Sequence, residues 1–231
     1  MFDCFWSPNI MKKGDYMTRI CVAVDTNKVV MSADSMFINT CDGKKTFNNK
    51  KIAYGNNMII GILGCSEFFV FHQKEPIQIQ KIIQNILQNT SFEDNRDTIT
   101  YILNKLRPIY EVISDNQFTQ LLCIWKEDKQ FYRVAIQLSN KLLYYPLGNM
   151  KDKSQLLFKD SILEVGEGID DIKIVPINIG VSQIDPSLIS YQKVYEAIQD
   201  SHLESVGGNV YSVSLDIEGV INTYLDNIKH E

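Results

Sequence analysis

Thr18-Arg19-Ile20-Cys21-Val22-Ala23-Val24-Asp25 and, after a short turn, Lys28-Val29-Val30-Met31-Ser32-Ala33-Asp34 decide how the chain is read. Both runs are rich in β-branched and apolar residues and are joined by Asp25-Thr26-Asn27-Lys28, which predicts a β-hairpin over 19–25 and 28–34. Shorter strands are expected at 36–39 and 44–48, around Asp42-Gly43. Met58 to Leu63 is almost wholly apolar and too short for a typical buried helix, so it reads as a strand buried on both faces. Gly61 and Gly64 beside it point to a close approach of another element.

Helical spacing follows. Residues 66–73 read as a short helix, 77–87 as a helix with Ile79, Ile82, Ile83 and Ile86 on one stripe, and 94–114 as a longer one that Pro108 should kink or divide. Strands are expected at 119–126, 130–138, 141–146 and 155–164. A weakly patterned stretch, 169–186, leads to a helix over 187–204, and strands at 209–216 and 219–224 close the chain. Strands, helices, strands, one helix, strands is not βαβ alternation. It fits antiparallel sheets covered by helices.

The chain has 231 residues, 45% hydrophobic and 22% charged, enough for one domain with a substantial core. A net charge of -5 without a basic stripe argues against nucleic acid as partner. No apolar run reaches membrane-spanning length. The first 17 residues place Phe2, Phe5 and Trp6 before Lys12-Lys13, the reverse of a secretory signal, so a cytoplasmic location is expected. The five cysteines, Cys4, Cys21, Cys41, Cys65 and Cys123, form no metal-ligand spacing and read as reduced thiols. His72, His202 and His230 lie far apart in sequence, which gives a histidine metal site or a Ser/His/Asp triad little support. No metal and no organic cofactor is expected.

The spaced set Thr18, Ala33-Asp34-Ser35, Lys50-Lys51-Ile52 and Gly61-Ile62-Leu63-Gly64, with Val206-Gly207-Gly208-Asn209-Val210 later, resembles the proteasome β-subunit family of N-terminal-nucleophile hydrolases, including the bacterial proteasome-like peptidases. The resemblance is densest over residues 18–71. It implies an α+β fold, a four-layer αββα sandwich of two antiparallel sheets flanked by helices. Residues 1–17 would be an extension (a propeptide or a mis-assigned start), and 18–231 a single domain.

The resemblance also implies chemistry. Thr18 would be the nucleophile and its own α-amine the general base, once that amine is exposed. An ammonium from Lys50 or Lys51 would keep the site positive, and Asp34 would hold that lysine. Strict spacing from Thr18 favours Lys50, and the register of the Lys-Lys-apolar step favours Lys51. Alternation allows only one to face Asp34, and the balance lies with Lys51. The N–H near Gly64 would meet the oxyanion. The family's supporting Gly-Ser-Gly step is here Gly166-Glu167-Gly168, and its later acidic and serine helpers fall in a window holding Glu204 and Ser205.

The expected activity is hydrolysis of peptide bonds in a peptide or unfolded-protein substrate. It implies a ring-like homo-oligomer, with an ATP-dependent unfoldase as a candidate partner. The alternatives are a catalytically inactive structural subunit, a small-molecule amidohydrolase, and Cys4 or Cys21 as the nucleophile. Met17 before Thr18 departs from the glycine of self-cleaving relatives. It suggests initiation at Met17 and removal of that residue by an aminopeptidase.

Overall fold

A computed structural model describes residues 18–38, 44–68, 76–111, 118–139, 155–157, 160–166, 173–176, 185–200 and 202–230. In chain order the elements are β1 (Arg19–Val24), β2 (Lys28–Asp34), β3 (Met36–Ile38), β4 (Lys45–Phe47), β5 (Ile52–Gly55), β6 (Met58–Gly64), β7 (Glu67–Phe68) and β8 (Ile77–Gln78). Then come α1 (Ile79–Asn89), α2 (Asn95–Tyr110), β9 (Thr119–Glu127), β10 (Gln130–Leu138), β11 (Gln155–Leu156), β12 (Ser161–Gly166) and β13 (Lys173–Pro176). The chain closes with α3 (Pro186–Gln199), β14 (Val210–Asp216), β15 (Ile221–Leu225) and β16 (Ile228–His230).

All the strand pairings are antiparallel. A seven-stranded sheet runs β13-β12-β1-β2-β14-β15-β16, and a five-stranded sheet runs β11-β10-β9-β6-β5. Between them lie Ile20, Val22, Met31, Ala33 and Val213 from the first sheet and Ile59, Leu63, Leu122 and Ile124 from the second. The alternate residues of β6 and β9, namely Met58, Ile60, Ile62, Leu121, Cys123 and Trp125, pack instead with α1 and α2. That double burial explains why β6 carries no polar residue: all seven of its positions are buried. Each fully buried large apolar side chain contributes about 1.5–3 kcal/mol.

Two local devices finish the sheets. Gly61 faces Ile20 and Met31 across the gap, where a Cβ would lie 2.7 Å from Ile20 Cδ1 and 2.8 Å from Met31 Sδ. The edge strand β5 is capped by α1. The Gln84 carboxamide accepts from Tyr54 N at 3.1 Å and donates to Tyr54 O at 2.8 Å, so these edge groups are satisfied within the chain.

The expectation of a four-layer αββα sandwich flanked by helices, the N-terminal-nucleophile hydrolase fold, is corrected. The described residues are mainly antiparallel strand, with three helices, and two further two-stranded sheets, β3-β4 and β7-β8, take up chain outside the main sheets. On the seven-stranded sheet the only helix among the described residues is α3, which rests mainly on β1, β2 and β14, so the described residues give that sheet no full helical layer.

Several element expectations also change. Glu67–Phe68, placed in a helix over 66–73, pairs as a strand with Ile77–Gln78, and residues 69–75 lie outside the described set. Consequently α1 begins two residues later than Ile77. Pro108 does not divide α2: it sits in the last turn, two residues before the helix ends at Tyr110. The strand expected over 155–164 is two, β11 and β12, each pairing in a different sheet. The expected strand at 141–146 lies outside the described residues. No described helix is long and apolar enough to cross a membrane.

Candidate active site

The two sheets present different ends of one charged cluster. Asp34 closes β2, with Arg19 of β1 beside it on one side and Val210 of β14 opposite it on the other. Lys51 comes from the other sheet. It immediately precedes β5, where its carbonyl accepts from Ile62 N at 2.9 Å and extends the β5–β6 ladder. Its Nζ lies 3.1 Å from Asp34 Oδ1 and 3.0 Å from Oδ2, so the ammonium sits astride the carboxylate. Asp34 is 0% exposed and Lys51 4%.

Such a pair is retained only if its remaining hydrogen-bonding capacity is filled. Asp34 Oδ1 also accepts from Arg19 N at 2.9 Å. Oδ2 accepts from Met36 N at 3.2 Å and Gly207 N at 3.2 Å. The Arg19 bond ties the carboxylate to the peptide unit that Thr18 shares with Arg19. Thr18 itself is buried at the head of β1. Gly166, paired with Arg19, lies against the Thr18 carbonyl with φ +128°, and a Cβ there would overlap that oxygen.

Lys50 points elsewhere, its Nζ lying 5.2 Å from the centre of the Tyr211 ring, a cation–π contact. Alternation therefore delivers Lys51, not Lys50, to Asp34. Gly64 ends β6 opposite Thr119, with φ +77° and Phe118 O 2.7 Å from where a Cβ would stand. Ser205 is buried, whereas Glu204 is exposed and offers its carbonyl to Lys45 Nζ at 2.9 Å. Glu167 lies outside the described residues, as does Cys4. Burial pushes the Cys21 thiol far above its usual range, and Glu164 adds to the shift, so Cys21 is a poor nucleophile.

Sequence reasoning missed the donors around Asp34, because backbone N–H groups carry no side-chain signature. The available signal was the glycine pair Gly207-Gly208. Ser35 also has a role that its type and position do not announce, since its Oγ accepts from Asn209 N at 2.8 Å. No protein-family model matches the chain, and no curated protein matches it significantly.

Proposed function

We propose that this protein is an N-terminal-nucleophile hydrolase of proteasome β-subunit type, cleaving amide bonds through Thr18 once its α-amine is exposed. The observation that carries this reading is the buried Lys51–Asp34 pair, joined to β1 through the N–H of Arg19. A fully buried lysine is an unfavourable choice for scaffolding alone. Beside the head of β1 it supplies the positive potential that a threonine hydroxyl and its amine need. The reading stands on these residues rather than on the layering of the fold.

In the reaction, Thr18 Oγ1 attacks the carbonyl carbon and its proton passes to the α-amine. The C–N bond then breaks, and the leaving amine takes that proton. Water, deprotonated by the same amine, hydrolyses the ester on Thr18 and regenerates the hydroxyl. Lys51 stays protonated throughout and stabilises the developing negative charge. Peptides or unfolded chains are the proposed substrates, in a homo-oligomer. A non-catalytic structural subunit is the second reading, and the exposure of Glu204, a helper position in the resemblance, favours it.

The test is a chain whose first residue is Thr18. It should be labelled at Thr18 by a threonine-directed electrophile and should hydrolyse fluorogenic peptide amides. Thr18→Ala should abolish both and leave the circular dichroism spectrum unchanged. A free Thr18 amine with no labelling and no hydrolysis rejects the hydrolase and leaves the structural subunit. Hydrolysis of small amides alone by a monomer on gel filtration points to an amidohydrolase.

A further inference from the structure

The segments 34–36 and 207–209 are laced together more tightly than a passing turn requires. Gly207 N donates to Asp34 Oδ2, and Gly207 O accepts from Ser35 N at 3.1 Å and Met36 N at 2.9 Å. Asn209 N donates to Ser35 Oγ at 2.8 Å. Between these bonds stands Gly208, with φ +79°, where a Cβ would lie 2.5 Å from Ser35 Oγ. No other residue type fits there without moving Ser35.

We propose that the turn Val206–Asn209 is the positioning element of the Lys51 ammonium, acting through Asp34, with Gly208 and Ser35 as its fastening points. A carboxylate on a short side chain turns freely about its last torsion unless both oxygens are held. Here Arg19 N holds Oδ1, and Met36 N and Gly207 N hold Oδ2, Met36 N being anchored in turn to the Gly207 carbonyl. The lysine, on a flexible four-carbon stem, goes where that carboxylate faces. The nearly equal distances from Nζ to the two oxygens, 3.1 and 3.0 Å, are the result of this two-sided hold. Release of the Gly207 side leaves Oδ2 with Met36 N alone, itself shared with the Gly207 carbonyl, so the carboxylate is held less firmly and the ammonium with it. The catalytic consequence rests on the hydrolase reading, but the positioning itself does not.

The experiment therefore reads the lysine directly. In the full chain, selectively labelled with nitrogen-15 at lysine Nζ, the Lys51 ammonium should give a slowly exchanging signal, because it is buried and its protons are engaged. Ser35→Ala removes the acceptor for Asn209 N, and Gly208→Ala forces Ser35 aside. Both should speed Lys51 proton exchange by roughly tenfold, the change expected for loss of about one net hydrogen bond. Ser35→Thr, which keeps the hydroxyl, should restore slow exchange. Unchanged exchange in a folded Ser35→Ala protein overturns the proposal, whether or not Gly208→Ala folds. Absence of threonine labelling in the chain that begins at Thr18 would reject the hydrolase reading alone, since the ammonium signal needs no turnover.

Discussion

At the residue scale, Asp34 and Lys51 are not equivalent halves of their ion pair. Loss of the lysine leaves a carboxylate that still accepts from Arg19, Met36 and Gly207 N–H groups. Loss of the carboxylate leaves a buried ammonium and orphans the Arg19 and Gly207 donors together. Asp34→Ala should therefore destabilise by about 3–5 kcal/mol, the range for breaking a buried pair. Lys51→Met, which keeps the stem volume, should cost less by at least about 1 kcal/mol. Urea denaturation of both variants checks this, and an equal or larger loss for Lys51→Met refutes the asymmetry. The contact of Asp34 with one of the two lysines was expected from the resemblance that the spaced set carries, and the structure makes it with Lys51. Alternation allows only one of the two lysines to face Asp34, and the register of the Lys-Lys-apolar step favours Lys51. What holds the carboxylate was not legible, because three of its partners are main-chain groups brought from β1, β3 and the turn before β14.

At the element scale, the start of α2 is fastened to the end of β9 by charge. Asp94 caps the helix by accepting from Arg96 N at 2.7 Å. Arg96 reaches Glu127 at 2.9 Å and lies over the Trp125 ring. The Arg96 hydrogen bond, with help from Trp125 and against the effect of burial, holds the Glu127 carboxyl below its usual range. A carboxyl lowered in the folded state stabilises above its unfolded pKa, and that contribution fades as pH falls through the folded value. Glu127→Gln should thus cost about 0.5–1 kcal/mol at pH 7, a modest figure for a half-exposed pair. The difference from wild type should shrink steadily below about pH 4.5, the ordinary glutamate value. Thermal melts across that window decide it, and a difference that grows toward acid pH contradicts the assignment.

Hairpins and apolar strands were readable at this scale because their period is local. The β1–β2 hairpin follows from two β-branched, apolar runs joined by a short turn, whereas β9 and β10 were expected as strands and their pairing is a finding of the structure. Glu67–Phe68 was misread because its partner, Ile77–Gln78, is not its neighbour in sequence, and strand pairing overrides helical spacing there. The serines that seat α3 gave no signal either. Ser190 Oγ donates to the Cys21 carbonyl at 2.8 Å and stands 2.7 Å from Ser32 Oγ, which is itself 2.7 Å from Ser212 Oγ. The single Ser190 proton is in reach of both the Cys21 carbonyl and Ser32 Oγ and serves one of them at a time, while either hydroxyl of the Ser32–Ser212 pair can donate.

At the scale of the whole molecule, periodicity says which residues are buried but not how many helices cover each sheet. That is why the helix-flanked layering was overestimated and the seven- and five-stranded sheets were not counted. The arrangement of those sheets has a consequence for the site. Thr18 and Asp34 belong to the larger sheet and Lys51 to the smaller, so the ion pair bridges the gap between them, and its geometry depends on sheet spacing. Gly61 sets that spacing where it faces Ile20 of β1 and Met31 of β2. Both neighbours are the flexible ends of side chains, so Gly61→Ala should be tolerated with a small loss. Gly61→Val adds bulk that they cannot clear, and it should destabilise by about 1–3 kcal/mol as overpacked cores do. It should also accelerate exchange at the Lys51 ammonium, because Gly61 stands in the ladder beside Lys51. Pairing Gly61→Val with Ile20→Ala should recover much of both effects, because the second change empties the space the first one invades. Denaturation and lysine exchange measured on the two single variants and the double variant provide the check. Additive losses, with no recovery in the double variant, would mean that the sheets do not meet at Gly61 and that their separation does not govern the Lys51–Asp34 contact.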